Sequence, residues 1–329
     1  MSVFWKEKRV FVTGATGLVG SWLVKHLIES EAYVVALIRD SDPQSELLRG
    51  GLINRVAVVN GALENYTDME RAICEHEVDT VFHLAAQTIV GTAYRSPLAT
   101  FEANIRGTYN LLEACRVQAV TVKRVVIASS DKAYGIGEVL PYTEAQPPLG
   151  RYPYDVSKSC ADLISQAYFH TYNLPVVVAR CGNIYGGGDL NWSRIVPGTI
   201  RAILHNERPI IRSDGTYTRD YVYVEDAVKA YIVMAEALHR EEVRGQAFNF
   251  GPSHPYRVRE IVDAVRRLMH REDLEPLVLD HAKAEIRDQY LASAKAEKLL
   301  GWKPLYTLEQ GLASSIEWYR NFFAARSSR

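Results

Sequence analysis

The chain has 329 residues, 47% of them hydrophobic, and its 38 Lys and Arg against 39 Asp and Glu leave a formal net charge of -1. That length and apolar content suffice for a full α/β core in one large domain or two smaller ones, and they exclude a disordered chain. The balance of charge excludes a general attraction to nucleic acid or an anionic membrane, so an anionic ligand has to be held by local cations.

The N-terminal Lys6, Glu7, Lys8 and Arg9 lead into a short β-like run with no apolar signal-peptide core, and no later stretch stays apolar long enough to span a bilayer. Between Arg9 and Arg180, β-branched runs predict strands over Val10–Thr13, Val34–Ile38, Val56–Val59, Thr80–Leu84, Val125–Ser129 and Val176–Arg180. The interleaved stretches predict helices over Leu18–Glu29, Thr67–Glu75, Pro97–Arg116 and Tyr154–Tyr172. Runs that are apolar on both faces and separated by helices suit a parallel sheet covered on both sides. The expected fold class is therefore α/β, a Rossmann doubly wound parallel sheet over 1-180 with return segments near 221-251. A smaller, partly interleaved substrate domain takes most of 181-329. That second part opens with Gly186, Gly187 and Gly188, then predicts helices over Ser193–His205 and Val224–Leu238, a strand Ala247–Phe250 and two late helices. Cys74, Cys115, Cys160 and Cys181 form no CxxC pair and lie in apolar runs, which reads as buried reduced thiols in the cytoplasm, with no metal site expected. The end at Arg326–Arg329 is expected to fray.

Directly after the first strand comes Thr13-Gly14-Ala15-Thr16-Gly17-Leu18-Val19-Gly20, opening the first helix. Glycines at these positions let the chain turn tightly, admit a pyrophosphate against the backbone and pack helix on strand, while the helix N-terminus supplies N–H donors. Gly14, Thr16, Gly17, Leu18, Val19 and Gly20 are thus candidate contacts of a nicotinamide dinucleotide. The second strand ends at Arg39-Asp40. Asp40 can bind both ribose hydroxyls of NAD, whereas Arg39 can pair with the 2′-phosphate of NADP; NAD is the first choice and NADP stays open.

Tyr154 and Lys158 stand four apart at the start of a helix and face the same way. A nearby ammonium favours the tyrosinate and can hold the nicotinamide ribose, so a phenol that titrates near 10 becomes a base toward a sugar hydroxyl. Ser129-Ser130-Asp131-Lys132-Ala133-Tyr134-Gly135 emerges at the C-terminal end of the fifth strand, where open α/β sheets hold their ligands.

On these motifs the chain resembles the extended short-chain dehydrogenase/reductase family. The glycine pattern, Ser130, the Tyr154/Lys158 pair, and Arg219-Asp220-Tyr221-Val222-Tyr223-Val224-Glu225-Asp226 match in order, through Phe248–Pro252 and Leu300–Pro304. Within the family, Ser130-Asp131-Lys132 with Tyr134-Gly135 looks like the nucleotide-sugar 4,6-dehydratases. The run Ala179–Asp189 looks most like the CDP-glucose 4,6-dehydratases. The resemblance implies a cycle that oxidises C4 of a hexose, eliminates water across C5 and C6, and returns the hydride to C6. It gives Tyr154 the O4 proton, has Ser130 hold that oxygen and Lys158 tune Tyr154, makes Asp131 the acid toward the C6 oxygen and Lys132 the base at C5. A lysine base must be largely neutral, which requires burial or a cationic neighbour.

The resemblance also sets Leu63, Leu84, Ala85 and Ala86 against the cofactor and Gln87 near the sugar or nicotinamide. It gives Asn183 and Arg219 to the substrate phosphates, with Arg194 and Arg287 as further candidate cations. It implies a homodimer packed through the helices around 105–115 and 154–168. Three departures stand out: Ala62 replaces an acid that reads adenine in relatives, and CDP-glucose dehydratases carry a different segment at 219–226 and are longer. CDP is therefore the first choice of base, with GDP, UDP and dTDP open. A 4-epimerase or 4-keto reductase would need Ser130, Tyr154 and Lys158 but not Asp131 or Lys132, and a non-catalytic NAD(P) sensor would need only the glycines.

Overall fold

The computed structural model describes residues 3–137, 139–252, 254–281 and 286–327. Its frame is a seven-stranded sheet of β1 (Arg9–Thr13), β2 (Tyr33–Ile38), β3 (Ala57–Asn60), β4 (Thr80–His83), β5 (Arg124–Ala128), β6 (Val176–Cys181) and β7 (Ala247–Phe250). The spatial order is β7-β6-β5-β4-β1-β2-β3, and every neighbouring pair is parallel. The chain builds outward from β1 to β3, then returns to the other side of β1 and builds outward again. Between the C-terminal ends of β1 and β4 the connections leave in opposite directions, which opens a crevice.

Val10, Phe11 and Val12 of β1 are fully buried although they alternate between faces, because helices cover both sides. On one side α1 (Leu18–Glu29) and α6 (Val224–Ala237) bury Leu23, Val24, Leu27, Tyr231 and Met234 with Trp5 and Phe248. On the other, α2 (Tyr66–Glu75), α3 (Gly107–Val117) and α4 (Pro153–Tyr172) enclose Met69, Ile73, Leu111, Leu112 and Cys115. A third apolar cluster joins α5 (Ile195–Leu204), α7 (Val258–Leu268) and α8 (Leu308–Ser327) around Ile200, Ile261, Leu312 and Tyr319. Residues 224–250 thus cross back to the main sheet, while Tyr221–Tyr223 pairs off it with Asn183–Tyr185.

The bounds of the expected strands and helices are matched to within a residue or two apart from three instructive differences, and where two late helices are expected three form, at Val258–Leu268, Ala294–Leu300 and Leu308–Ser327. The helix expected over Pro97–Arg116 winds as a π-helix at Glu102–Arg106 before resuming as α3. The irregular turn carries Asn104, whose side chain bonds both the N–H (2.7 Å) and the C=O (3.0 Å) of Gln87 and the Ser157 hydroxyl (2.9 Å). The helix expected from Ser193 starts at Ile195, since Ser193 bonds back to Asn191 in a turn. Cys74, expected inside, is exposed because it falls on the outer side of α2, whose buried residues are Met69, Ala72 and Ile73; the four cysteines are unpaired.

A buried ion pair fixes the sheet to α4. Arg180 on β6 donates to Asp162 at 2.7 and 3.0 Å, and to the Tyr134 hydroxyl at 2.8 Å. Tyr134 in turn donates to Asn249 on β7 at 2.7 Å, so the loop beyond β5 is held from behind by fully satisfied polar groups. Among the described residues no helix is long and apolar enough to cross a membrane.

Candidate active site

The turn after β1 is built so that only glycine fits. Gly14 has φ +75, and a Cβ there would stand 2.7 Å from the Ala85 nitrogen. A Cβ on Gly20 would stand 2.0 Å from the Gly14 carbonyl oxygen. Gly17 is different: its only near neighbour is that same oxygen at 3.3 Å, and it is exposed. The turn is therefore closed on the protein side and open outward at the N-terminus of α1, the arrangement that receives a pyrophosphate. Leu63 is buried directly beneath Gly107, and its carbonyl accepts from Asn110 at 2.9 Å. At the end of β2, Arg39 and Asp40 are exposed and bonded to each other at 2.7 Å, with Glu64 at 4.0 Å from the same guanidinium.

A hydrogen-bonded chain ties this turn to α4, the helix of the candidate pair Tyr154 and Lys158. The Ala85 N–H donates to the Thr13 hydroxyl (3.2 Å), which donates to His83 Nδ1 (2.8 Å), and His83 Nε2 meets the Thr108 hydroxyl (3.1 Å). Thr108 donates to the Asn104 carbonyl at 2.6 Å, completing the path to Ser157 on α4. This assignment makes His83 neutral, in keeping with burial that lowers its pKa to about 3, reinforced by the charge of Lys158.

Ser130 ends the strand in extended conformation and caps the single turn Asp131–Tyr134. Its Oγ accepts from the Lys132 N–H at 3.2 Å and donates to Asp131 Oδ1 at 2.9 Å. Asp131 is 2% exposed, and its Oδ2 has no hydrogen-bond partner among the described residues. Lys132 donates from Nζ to Gln289 Oε1 at 2.9 Å. Tyr154 lies in the first turn of α4, after Pro153 at N1, and its hydroxyl bonds Ser130. Burial raises the Tyr154 pKa to about 12, opposed first by the Arg194 charge and also by the Ser130 bond. Lys158 lies one turn on, donates to the Ala128 carbonyl at 2.7 Å, and is lowered to about 8 by burial. Ser159 locks loop to helix by donating to the Ala133 carbonyl at 2.8 Å.

Ser130, Asp131, Lys132, Tyr154, Asn183, Arg194 and Arg219 line one cleft of about 1200 Å³, room for more than a single sugar ring. Arg194 is fixed by Asp189 at 3.1 Å and by the Ile184 carbonyl at 3.3 Å. Arg219 is 7% exposed and donates to the carbonyls of Thr218 (2.8 Å), Arg287 (2.7 Å) and Ile286. Two sequence candidates sit differently. Arg287 is exposed and offers its carbonyl to Arg219, while Gln87 folds its amide back onto Ile89 (2.6 and 3.1 Å). Sequence reasoning passed over Asp155, His83, Asn104 and Gln289. Asp155 lay in plain view between Tyr154 and Lys158, but the other three acquire their partners only through distant contacts.

A parallel sheet of this order, a glycine turn after its first strand, and Ser130 facing Tyr154 and Lys158 define an extended short-chain dehydrogenase/reductase. The chain belongs to the GDP-mannose 4,6 dehydratase family, whose model matches residues 11–315. It is 32% identical to the CDP-glucose 4,6-dehydratase of Salmonella typhimurium, over 96% of this chain and 92% of that one. It is 30% identical to the dTDP-glucose 4,6-dehydratase of Neisseria gonorrhoeae, over 95% and 96%. Among solved structures it is similar to the UDP-glucose 4-epimerase of Thermotoga maritima with UDP-glucose (TM-score 0.87, 29% identity, 96% of this chain and 99% of that one). It is also similar to the dTDP-glucose 4,6-dehydratase of Bacillus anthracis in complex with NAD (TM-score 0.83, 26% identity, 95% and 97%).

Proposed function

We propose that this protein dehydrates a CDP-hexose, CDP-glucose first, to the CDP-4-keto-6-deoxyhexose. It is an NAD-dependent nucleotide-sugar 4,6-dehydratase. The observation that carries this reading is that Asp131 and Lys132 enter the same cleft as Ser130 and Tyr154, since dehydration needs an acid and a base beyond the Ser/Tyr/Lys set. The fold does not decide the matter, because a 4-epimerase shares it.

The cradle fits NAD: Gly14 and Gly20 exclude any side chain on the protein side, Gly17 leaves the outer side open, and Asp40 stands at the end of β2 for the ribose diol. When bound, NAD supplies the nicotinamide that accepts hydride from C4 and returns it to C6. Gly14, Thr16, Gly17, Leu18, Val19 and Gly20 hold the pyrophosphate; Leu63 and Leu84–Ala86 line the adenosine and nicotinamide ends. Tyr154, a phenol at rest, loses its proton to solvent with the Arg194 charge favouring the tyrosinate and Lys158 assigned to tune it, and then takes the proton of O4, while Ser130 bonds the same oxygen. The ketone at C4 acidifies C5. Lys132 removes the C5 proton, and Asp131 donates to the C6 hydroxyl, which leaves as water. Asn183, Arg194 and Arg219 hold the diphosphate, with Gln87 and Arg287 as further candidate contacts. Tyr109 on α3 and Leu163 on α4 are 40% and 52% exposed, apolar surface that a homodimer through this helix pair would cover. The compartment is the cytoplasm, in keeping with four unpaired cysteines.

The test is incubation with CDP-, GDP-, UDP- and dTDP-hexoses, reading 4-keto-6-deoxy product by its alkali-induced absorbance. Asp131→Asn and Lys132→Met should then stall after C4 oxidation, with bound reduced nicotinamide accumulating and no product. C4 epimer formation by the wild type, or full turnover by both variants, would replace this reading with the epimerase.

A further inference from the structure

Asp155 is a buried carboxyl that the chemistry above leaves unused. It follows Tyr154 in the first turn of α4, is 2% exposed, and lines the cleft beside Asp131, Lys132 and Tyr154. Its carboxylate accepts from the backbone N–H of Tyr152 and from its own, which fixes its direction. Burial raises its pKa to about 6; the Lys132 charge works against that rise and the Asp131 charge adds to it, so the three groups share one electrostatic environment. Lys132 also donates to Gln289 at 2.9 Å. Gln289 is fully buried and held opposite Arg219 in the pairing of Asp288–Gln289 with Thr218–Arg219.

A lysine stem has four rotatable carbons and carries about 2 kcal/mol of rotamer entropy, so a lysine base needs fixed acceptors to keep its nitrogen in one place. Gln289 supplies one such acceptor from the strand at 288–289, and Asp155, on α4, supplies a buried carboxyl lining the same cleft as Lys132. On the dehydratase reading above, we propose that Asp155 and Gln289 are positioning residues that aim the Lys132 amine at C5, with Asp155 as the counter-charge of the ammonium that forms. In that step the C5–H bond breaks and an N–H bond forms on Lys132. The electron pair left at C5 expels the C6 hydroxyl, which takes its proton from Asp131 and departs as water. The new ammonium sits beside the Asp155 carboxylate and returns its proton to C5 once hydride reaches C6. Among the described residues, Asp131, Tyr142 and Tyr154 also act on Asp155, with Arg194, Arg208, Arg212, Arg219 and Glu207 on the same cleft.

The holoenzyme is tested with CDP-glucose in deuterated water, wild type against Asp155→Asn, Asp155→Glu and Gln289→Leu. Asn keeps the acceptor for the Tyr152 N–H, so the fold survives. Reduction of bound nicotinamide, the C4 step, should stay within about threefold of wild type. Deuterium incorporation at C5 should fall about 10- to 100-fold in Asp155→Asn and Gln289→Leu, the scale of a base displaced by an ångström. In Asp155→Asn the alkaline rise of C5 exchange should move to lower pH, because an ammonium without its counter-anion loses its proton more easily. Asp155→Glu should recover part of the rate. Unchanged C5 exchange with an unmoved pH limb overturns the proposal, as does an equal fall in nicotinamide reduction and C5 exchange, which marks Asp155 as merely structural. If the wild type itself makes neither C5 exchange nor 4-keto-6-deoxy product, the dehydratase reading fails first and this role falls with it.

Discussion

Gly20→Ala should separate the fold of the cofactor turn from its ligand chemistry when set beside Gly17→Ala. The added methyl of Gly20→Ala would stand 2.0 Å from the Gly14 carbonyl oxygen, 2.7 Å from its carbon and 2.9 Å from Ala15 Cα. All three are backbone atoms, so relief requires α1 to lift by roughly 1.4 Å to reach ordinary contact. The helix cannot do so freely, since Leu23, Val24 and Leu27 are fully buried against the sheet. Overpacking of this kind costs about 3 kcal/mol, a fall of roughly 4 °C in Tm for a chain of this size. If the N–H groups of Leu18 and Val19 hold the pyrophosphate as proposed, the lift also carries them off it, so NAD affinity should drop at least about tenfold, or about 1.4 kcal/mol. In Gly17→Ala the methyl meets only the Gly14 oxygen at 3.3 Å and otherwise points outward. Its melting without cofactor should stay within about 0.5 kcal/mol of wild type, while NAD affinity falls because the methyl occupies the phosphate approach. Thermal melts with and without NAD, and calorimetric titration of NAD, read both quantities. A Gly20→Ala protein that melts and binds NAD like wild type would refute the packing argument, and a Gly17→Ala protein that binds normally would refute the phosphate site.

Tyr154→Phe should keep the fold and NAD binding but lose at least about a hundredfold in turnover, the scale for removing a general base; a near-normal kcat would take Tyr154 out of the mechanism. Burial holds the Lys158 pKa at about 8, below the usual 10.5, so between those values the unfolded chain carries a proton that the folded chain lacks. Stability therefore rises with pH across this window and is lost as pH falls toward 8, by an amount on the order of 3 kcal/mol. Tyr154, raised to about 12, acts in the opposite sense only above pH 10. Burial also raises the Cys115 and Cys181 thiols, which act in the opposite sense above pH 9 in both proteins, so denaturant unfolding from pH 8 to 10 should rise more steeply with pH in the wild-type apoprotein than in Lys158→Met; equal slopes would mean that Lys158 stays charged in the fold.

What could be read from the chain alone was whatever depends on neighbours in sequence. Continuous β-branched runs gave the strands, because a strand buried on both faces needs no polar alternation. The spacing of Gly14, Gly17 and Gly20 gave the cofactor turn, since the demands of a tight βα turn are local. The four-residue step from Tyr154 to Lys158 placed both on one helix face by helical geometry alone. Only the tertiary structure decided who meets whom across the cleft. Lys132 finds Gln289 across 157 positions, Arg194 comes from the start of α5 to act on Tyr154, and the Lys158 ammonium is engaged by the Ala128 carbonyl. Asp155 shows the same divide: its place beside Tyr154 is visible in the sequence, but its burial beside Lys132 exists only once the loop beyond β5 packs on α4. Such pairings depend on long-range loop closure and on which polar groups are forced to share a desolvated space, and no local periodicity encodes either.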